Sequence, residues 1–281
     1  MRRRAAISFF FGLAALAFVP ALGARGEDAV RLDGKLVQGG LVRGIAPARA
    51  RVMLDGAAVP ATEDGQFLLG FGRDHPARSV LEVHLPGGAS LRRALDVEQR
   101  SYDIRRVAGL PARMVSPDAE GLQRIAADRA RIARARAASP TPPLFASGFA
   151  WPAIGPVSGI FGSQSIMNGE ARAPHNGVDV AAPTGAPGGA MADGIVLLAE
   201  HDMYLIGQSV LLDHGLGLNS VYIHLSEIVV APGARVAKGQ IIGRVGGTGR
   251  VTAPHLHWGV NLGQIALDPA LLVGPMPSVA Q

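Results

Sequence analysis

The stretch that decides the fold is His255–Leu262, with the sequence HLHWGVNL. On a β-strand, residues two apart share a face, so His255 and His257 point to one side and Leu256 points to the other. Leu256 is apolar and is expected to enter a core. The stretch therefore predicts a strand that carries two neighbouring imidazoles on its accessible face.

Similar short apolar runs surround this strand over residues 148–276. Gly-rich turns separate them, and no long helical period lies between them, which excludes a doubly wound α/β domain. We therefore predict an antiparallel, all-β sheet assembly. His214 falls at a predicted turn, where we expect a structural role. The other predicted strands are Gly194–Ala199, Gln208–Asp213, Asn219–Leu225 and Gln240–Val245.

The N-terminal part of the chain, residues 27–110, has the pattern of a second, smaller β-domain. Turn dipeptides such as Asp55-Gly56 and Asp64-Gly65 punctuate its apolar runs, and they suit hairpins because Gly and Asp accept positive φ. We predict a small β-sandwich, with a substrate-binding role and a spacer role both open. Its predicted strands are Lys35–Val42, Ala50–Leu54, Gln66–Phe71, Val80–Leu85 and Leu91–Val97.

Residues 111–147 differ in character and predict an Arg-rich helix followed by a Pro-rich linker. Ser116 is a candidate N-cap, and a weak apolar stripe lies among arginines up to Arg136. The segment 139–143, SPTPP, ends any helix and forms a stiff connection. Two interpretations stay open: a contact with an anionic polymer or membrane surface, and a solvated linker helix.

Residues 1–26 have the shape of a secretory signal peptide. Three arginines precede an apolar run, and small residues follow Pro20 as candidate cleavage sites. An uncleaved membrane anchor is the alternative, because the run approaches the length of a membrane span. Cleavage predicts export to the periplasm or cell envelope and leaves a chain with no transmembrane segment.

Composition removes several classes of function. The 281 residues contain no Cys, so a disulfide framework, a thiolate metal site and a cysteine nucleophile are excluded. Three of the excess positive charges lie in the leader, and the formal charge of +5 therefore falls to about +2 without it. So small a net positive charge does not indicate nucleic acid as a partner.

Three histidine contexts together predict a metal site. His175 and Asp179 occur in HNGVD, where Asn-Gly and a β-branched Val favour a turn that leads into a strand. His224 follows Tyr222 on another predicted strand, and the pair in HLH completes the set. Two His and one Asp are a suitable ligand set for catalytic zinc, which typically has three protein ligands and a water. The HExxH motif is absent, so a spare imidazole is the candidate proton shuttle.

These motifs resemble those of the lysostaphin/LytM-type zinc metallopeptidases. The similar segments are 168–186, NGEARAPHNGVDVAAPTGA, 210–226, VLLDHGLGLNSVYIHLS, and 236–260, VAKGQIIGRVGGTGRVTAPHLHWGV. They occur in the family's order and cover roughly residues 150–274, but not the N-terminal β-domain. The resemblance implies that residues 148–276 form a zinc metallopeptidase domain.

The resemblance also implies roles for five residues. His175, Asp179 and His257 correspond to the ligands of one zinc ion per chain. His255 and His224 correspond to the catalytic pair, with His255 as general base and His224 orienting water or stabilising the oxyanion.

The implied function is hydrolysis of peptide cross-links in bacterial peptidoglycan by a secreted zinc metallo-endopeptidase, with the peptide stems as substrate. The D-Ala–diaminopimelate, D-Ala–Gly and Gly–Gly bonds all remain open. The alternative is a non-catalytic, LytM-like regulator whose partners are other cell-wall hydrolases, although the complete ligand set argues against it. A third possibility is a wall-binding module that works through the β-sandwich.

Overall fold

The computed structural model describes residues 29–108, 117–137 and 142–277. The signal-peptide prediction for residues 1–26 and the candidate cap Ser116 lie outside the described residues. Among the described residues, no helix has the length and apolar character needed to cross a membrane.

The N-terminal residues form two antiparallel sheets around one core. One sheet has the order β1-β2-β5 and the other β4-β3-β6-β7. Phe67, Phe71 and Leu81 are almost fully buried in the core that the two sheets share. The strands are β1 (Arg31–Gly34), β2 (Leu41–Ile45), β3 (Arg51–Leu54), β4 (Ala57–Val59), β5 (Gln66–Gly70), β6 (Arg78–His84) and β7 (Ser90–Asp96).

The strand predicted at Lys35–Val42 is wrong. Most of that segment connects β1 to β2, which form a hairpin in which Gly34 is opposite Val42. Gly39 explains the interruption: its φ of +84° is incompatible with a continuous strand. Its amide instead donates to the carbonyl of Phe71.

The predicted helix is present as α1 (Ala119–Ala137). Its N-cap is Asp118, whose carboxylate accepts a hydrogen bond from the amide of Gly121 at 2.8 Å. The helix is not solvated on all sides, because Ile132 and Ala135 pack on a small hydrophobic cluster of the C-terminal sheet. The linker-helix interpretation is therefore consistent with the structure, in which one side of the helix packs on the sheet and most of its residues are exposed.

The C-terminal region forms a ten-stranded sheet with the main order β17-β14-β15-β16-β19-β12-β9. Trp258 and Tyr222 are fully buried in its core, on the face opposite His257. The remaining strands of the molecule are β8 (Ile104–Val107), β9 (Val157–Gly159), β10 (Gln164–Met167), β11 (Glu170–Ala171), β12 (Val178–Ala181), β13 (Pro187–Gly189), β14 (Gly194–Met203), β15 (Gly207–Gly215), β16 (Leu218–Ile228), β17 (Arg235–Val236), β18 (Ile241–Val245), β19 (His255–Leu262) and β20 (Ile265–Leu267). Strands β8, β10 and β11 make a separate small sheet.

The two regions share an extensive contact. Leu41 and Leu68 of the N-terminal sheet are buried within the core of the C-terminal region. Strand β8 pairs in parallel with β10, which joins residues 104–107 to residues 164–167. The all-β class with a single connecting helix is thus confirmed for the described residues, and the N-terminal sandwich packs directly against the sheet that carries the histidines.

Candidate metal centre

Strand pairing brings the predicted ligands together. Asp179 on β12 lies directly opposite His257 on β19, and His257 lies opposite Ile223 on β16. Side chains opposite each other in an antiparallel pair share a face, so Asp179 and His257 project to the same side. His175 reaches them from the loop that precedes β12.

The three side chains present their ligand atoms at one point. Oδ1 of Asp179 lies 2.8 Å from Nδ1 of His257 and 3.1 Å from Nε2 of His175, and the two nitrogens are 2.9 Å apart. Nitrogen and oxygen ligands of a tetrahedral zinc lie roughly 3.3 Å apart, since each bond is about 2.0–2.2 Å. The arrangement therefore fits a single metal ion of that size, and His175, Asp179 and His257 are a group able to hold one.

The hydrogen bond of Nδ1 shows which ring nitrogen of His175 is available to a metal. Its Nδ1 lies 3.0 Å from the carbonyl of Ile160, and a carbonyl can only accept. Nδ1 therefore carries the proton, and Nε2 is left with a lone pair that faces the cluster.

The electrostatics of the cluster favour an ionised carboxylate. Burial acts to raise the pKa of Asp179, but its contacts with the imidazoles of His175 and His257 outweigh burial and hold that pKa far below its usual range. Burial lowers the pKa of His257, which favours the neutral imidazole. The cluster thus combines one anionic and one neutral ligand in the forms that metal binding requires.

His255 and His224 lie beside the three ligands. Their ring centroids are 4.9 Å apart, and Nε2 of His255 is 3.7 Å from Oδ1 of Asp179. Nδ1 of His224 donates to the carbonyl of Thr248 at 2.8 Å, and Nδ1 of His255 donates to that of Ala253 at 2.9 Å. Each ring therefore keeps its Nε2 as a free acceptor. The structure thus brings all five predicted site residues into one cluster.

His224 has an unusual backbone and a shifted acidity. Its φ is +64°, a left-handed conformation that is uncommon for a residue other than glycine. Burial lowers the pKa of His224 to about 4, so its imidazole is neutral at pH 7. A strained residue held neutral among other histidines is typical of a functional position.

The sequence reasoning missed the groups that shape this centre. The carbonyls of Ile160, Thr248 and Ala253 orient the histidines, but a main-chain carbonyl has no signature in the sequence. Two glycines are a weak sequence signal of the centre, because a side chain at either position would collide with a ligand residue. A Cβ on Gly159 would lie 2.2 Å from Oδ2 of Asp179, and one on Gly177 would lie 2.7 Å from Nε2 of His257.

His214 lies away from this centre. It is fully buried in β15 and not at the predicted turn, because β15 continues to Gly215. Its two ring nitrogens contact the carbonyl of Asp193 and the hydroxyl of Ser220, each at 2.7 Å. These contacts agree with the structural role expected for it.

The fold and the cluster define a class: β-sheet proteins with a His–Asp–His site of metallopeptidase type. Residues 173–269 match the sequence profile of peptidase family M23. A crystal structure from Pseudomonas aeruginosa, described as a peptidase M23, is 31% identical, with a TM-score of 0.64 over 85% of this chain and 96% of that one. The chain belongs to peptidase family M23, and the resemblance seen in the sequence is confirmed.

Curated relatives match about a third of this chain. The peptidoglycan DD-endopeptidase ShyA of Vibrio cholerae is 46% identical over 86 residues, which is 31% of this chain and 20% of ShyA. The DD-carboxypeptidase/endopeptidase Mpg of Neisseria meningitidis is 37% identical over 107 residues, 38% of this chain and 24% of Mpg. The match thus spans less than a quarter of the length of either relative.

Proposed function

We propose that this chain is an exported zinc metallo-endopeptidase of the periplasm or cell envelope, which hydrolyses peptide cross-links of peptidoglycan. The observation that carries the proposal is the convergence of three ligand atoms within about 3 Å of one another, beside two imidazoles with free acceptor nitrogens. The names of the relatives favour a bond between two D-centres, such as D-Ala–diaminopimelate, over Gly–Gly.

His175, Asp179 and His257 would hold the metal. Bound there, zinc would supply Lewis acidity for the scissile carbonyl and a water of pKa about 7. Asp179 balances part of the positive charge of such an ion, and the Ile160 carbonyl fixes the ring of His175.

His255 and His224 handle protons. Nε2 of His255 accepts a proton from the attacking water and then delivers it to the leaving amine, because Nδ1 of the ring stays bound to the Ala253 carbonyl. The neutral His224 also offers an acceptor at Nε2, since its own proton is used on Thr248. His224 therefore orients the water by accepting its second hydrogen bond, and the alternative of donating to an oxyanion is disfavoured.

The test is turnover of purified peptidoglycan sacculi by the purified protein, with mass spectrometry of the released muropeptides. The matched variants are His257→Ala, which removes a ligand, and His84→Ala, which removes a histidine of the N-terminal sandwich that contacts Ser90. Cleaved cross-links are expected from the wild type and from His84→Ala. They should disappear in His257→Ala and in the presence of a zinc chelator.

Other outcomes separate the alternatives. A wild type that binds one zinc per chain but releases no product would contradict the endopeptidase and favour the non-catalytic regulator. Product that persists with the chelator and in His257→Ala would contradict the metal mechanism. The identity of the released ends names the bond that is cut.

A further inference from the structure

The turn at residues 160–163, between β9 and β10, encloses the ligand His175. The Ile160 carbonyl accepts from Nδ1 of His175 at 3.0 Å. The amide of His175 donates to the Ser163 carbonyl, and its own carbonyl accepts from the Gly162 amide, both at 2.8 Å. The ring and the main chain of this ligand are thus both held by the same turn.

The outer side of this turn rests on the N-terminal sandwich. Nε of Arg73 donates to the Gly162 carbonyl at 2.8 Å, and the Arg73 side chain is only 15% exposed. The Arg73 guanidinium lies 4.6 Å from the centre of the Tyr102 ring, in cation–π geometry. Tyr102 in turn packs edge-to-face on the buried Phe161, with ring centroids 6.3 Å apart.

Gly162 shows how close this packing is. A Cβ at that position would lie 2.1 Å from Cδ1 of Tyr102, so only glycine permits the approach. Its φ of +81° also requires glycine. The contact between the two parts of the chain continues past the turn. The Gln164 amide donates to the Asp103 carbonyl at 2.9 Å, where β10 pairs with β8.

We infer that Arg73 and Tyr102 are positioning residues for the metal ligand His175, and that the N-terminal sandwich pre-organises the metal site through them. The inference rests on the proposed function in that the centre binds zinc. Arg73 fixes the Gly162 carbonyl, the turn fixes the Ile160 carbonyl, and that carbonyl fixes the ring. This assigns the sandwich a task beyond that of a spacer.

The expected effect is on metal affinity and ligand geometry. Loss of a direct outer partner of a ligand typically weakens metal binding about 10–100-fold. Arg73 acts further out than such a partner, so we expect Arg73→Ala to weaken zinc binding by about 3–10-fold, at or below the lower limit of that range.

The experiment measures zinc affinity of the full chain by competition with a chelator, and the visible absorption spectrum of the Co²⁺-substituted protein. Arg78→Ala is the matched control, since Arg78 lies in the same sandwich, is 88% exposed and pairs only with the exposed Asp96 among its described contacts. Arg73→Ala should bind zinc more weakly and change the Co²⁺ bands, while Arg78→Ala should match the wild type in both.

A second pair of variants tests the inference even if Arg73→Ala does not fold. Tyr102→Leu keeps apolar volume but removes the ring beneath the guanidinium, and Arg73→Lys keeps a donor and the charge. We expect Tyr102→Leu to weaken zinc binding and Arg73→Lys to restore part of the affinity, at unfolding temperatures within a few degrees of the wild type.

Two results would overturn the inference, and they are distinguishable. Wild-type zinc affinity and an unchanged Co²⁺ spectrum in Arg73→Ala and Tyr102→Leu would refute the positioning role and leave the proposed function intact. A wild-type chain that binds neither Zn²⁺ nor Co²⁺ would refute the proposed function, and the inference with it.

Discussion

At the scale of single residues, the site divides into groups that hold the ion and groups that handle protons. His255 is the sharpest test of that division. Its Nε2 is 3.7 Å from Asp179, outside hydrogen-bonding distance, whereas His175 and His257 both make direct contacts with that carboxylate. The geometry therefore places His255 beside the ligand set and not within it.

We predict that His255→Ala retains one zinc per chain and loses most of its turnover. Removal of a general base typically costs about 10²–10⁴-fold in rate. Zinc content by mass spectrometry and muropeptide release on the same sample check this. Loss of zinc in parallel with activity would instead identify His255 as a ligand.

His214 links the pH to the stability of the sheet. Burial lowers its pKa, partly opposed by the hydrogen bond to the Asp193 carbonyl and by the charges of Asp213 and Asp193. Because the folded pKa lies below the unfolded value of about 6.5, the unfolded chain binds more protons as the pH falls. The contribution of His214 is thus fully present above about pH 6.5 and is lost as the pH falls below it.

We predict that His214→Asn, which keeps a donor for Asp193, flattens the pH dependence of the free energy of unfolding. Urea unfolding at pH 7.5 and 5.5 should show a smaller loss for the variant than for the wild type, by about 1 kcal/mol. Equal losses would mean that other groups carry the acid sensitivity. The difference between the two proteins cancels the contributions of the histidines in the metal centre.

At the scale of elements, the helix α1 supports one side of the site. The Asp128 carboxylate accepts from the Tyr204 amide at 2.8 Å, and Arg124 stacks on the Tyr204 ring at 5.2 Å. Two residues further on, the Ile206 carbonyl accepts from the amide of His224 at 2.9 Å. The helix thus fixes the β14–β15 hairpin on which His224 depends.

We predict that Asp128→Ala destabilises the protein by about 1–3 kcal/mol, because a partly buried amide loses a charged acceptor. Turnover should fall several-fold with zinc affinity unchanged, since the hairpin holds the amide of His224, which is not one of the three ligands. Glu120→Ala, an exposed change on the same helix, is the control and should cost only a few tenths of a kcal/mol. Unchanged stability in Asp128→Ala would show that the hairpin keeps its shape without the helix.

The elements also show where sequence reasoning succeeds. The strands of the C-terminal sheet were predictable because alternation and Gly-rich turns are local patterns. The strand predicted at His255–Leu262 is present with the same bounds as β19. The strand prediction for Lys35–Val42 failed because the apolar content of the segment does not reveal the positive φ of Gly39. The docking of α1 and the β8–β10 pairing depend on partners about 60 residues away or more, which no local pattern encodes.

At the scale of the whole molecule, the two regions form one packed body. Leu41 and Leu68 lie in the C-terminal core, and Arg100 crosses the junction to Asp268, with Nη1 and Oδ2 at 2.8 Å. The Asp268 side chain is 6% exposed and also accepts from the Ala270 amide at the start of a short 3₁₀ helix. Because the Asp268 carboxylate is buried, loss of its partner Arg100 should destabilise the fold more than loss of a cation in a surface ion pair would.

We predict that Arg100→Ala lowers the free energy of unfolding by about 2–3 kcal/mol. Loss of one member of a buried pair costs about 3–5 kcal/mol, and Arg100 is itself 28% exposed, which reduces the effect. Urea unfolding followed by tryptophan fluorescence and circular dichroism checks this, with Arg92→Ala as the control, because the Arg92 side chain is 74% exposed in its pair with Glu82.

The origin of that loss can be separated by a double variant. If the cost comes from an uncompensated buried charge, Arg100→Ala combined with Asp268→Asn should recover part of the stability lost in Arg100→Ala alone. If it comes instead from the packing of Arg100 on Tyr102, where the guanidinium is 5.3 Å from the ring centre, the double variant should be no more stable than the single one. The second result would shift the main role of Arg100 from the charge of Asp268 to the aromatic cluster that supports the turn at residues 160–163.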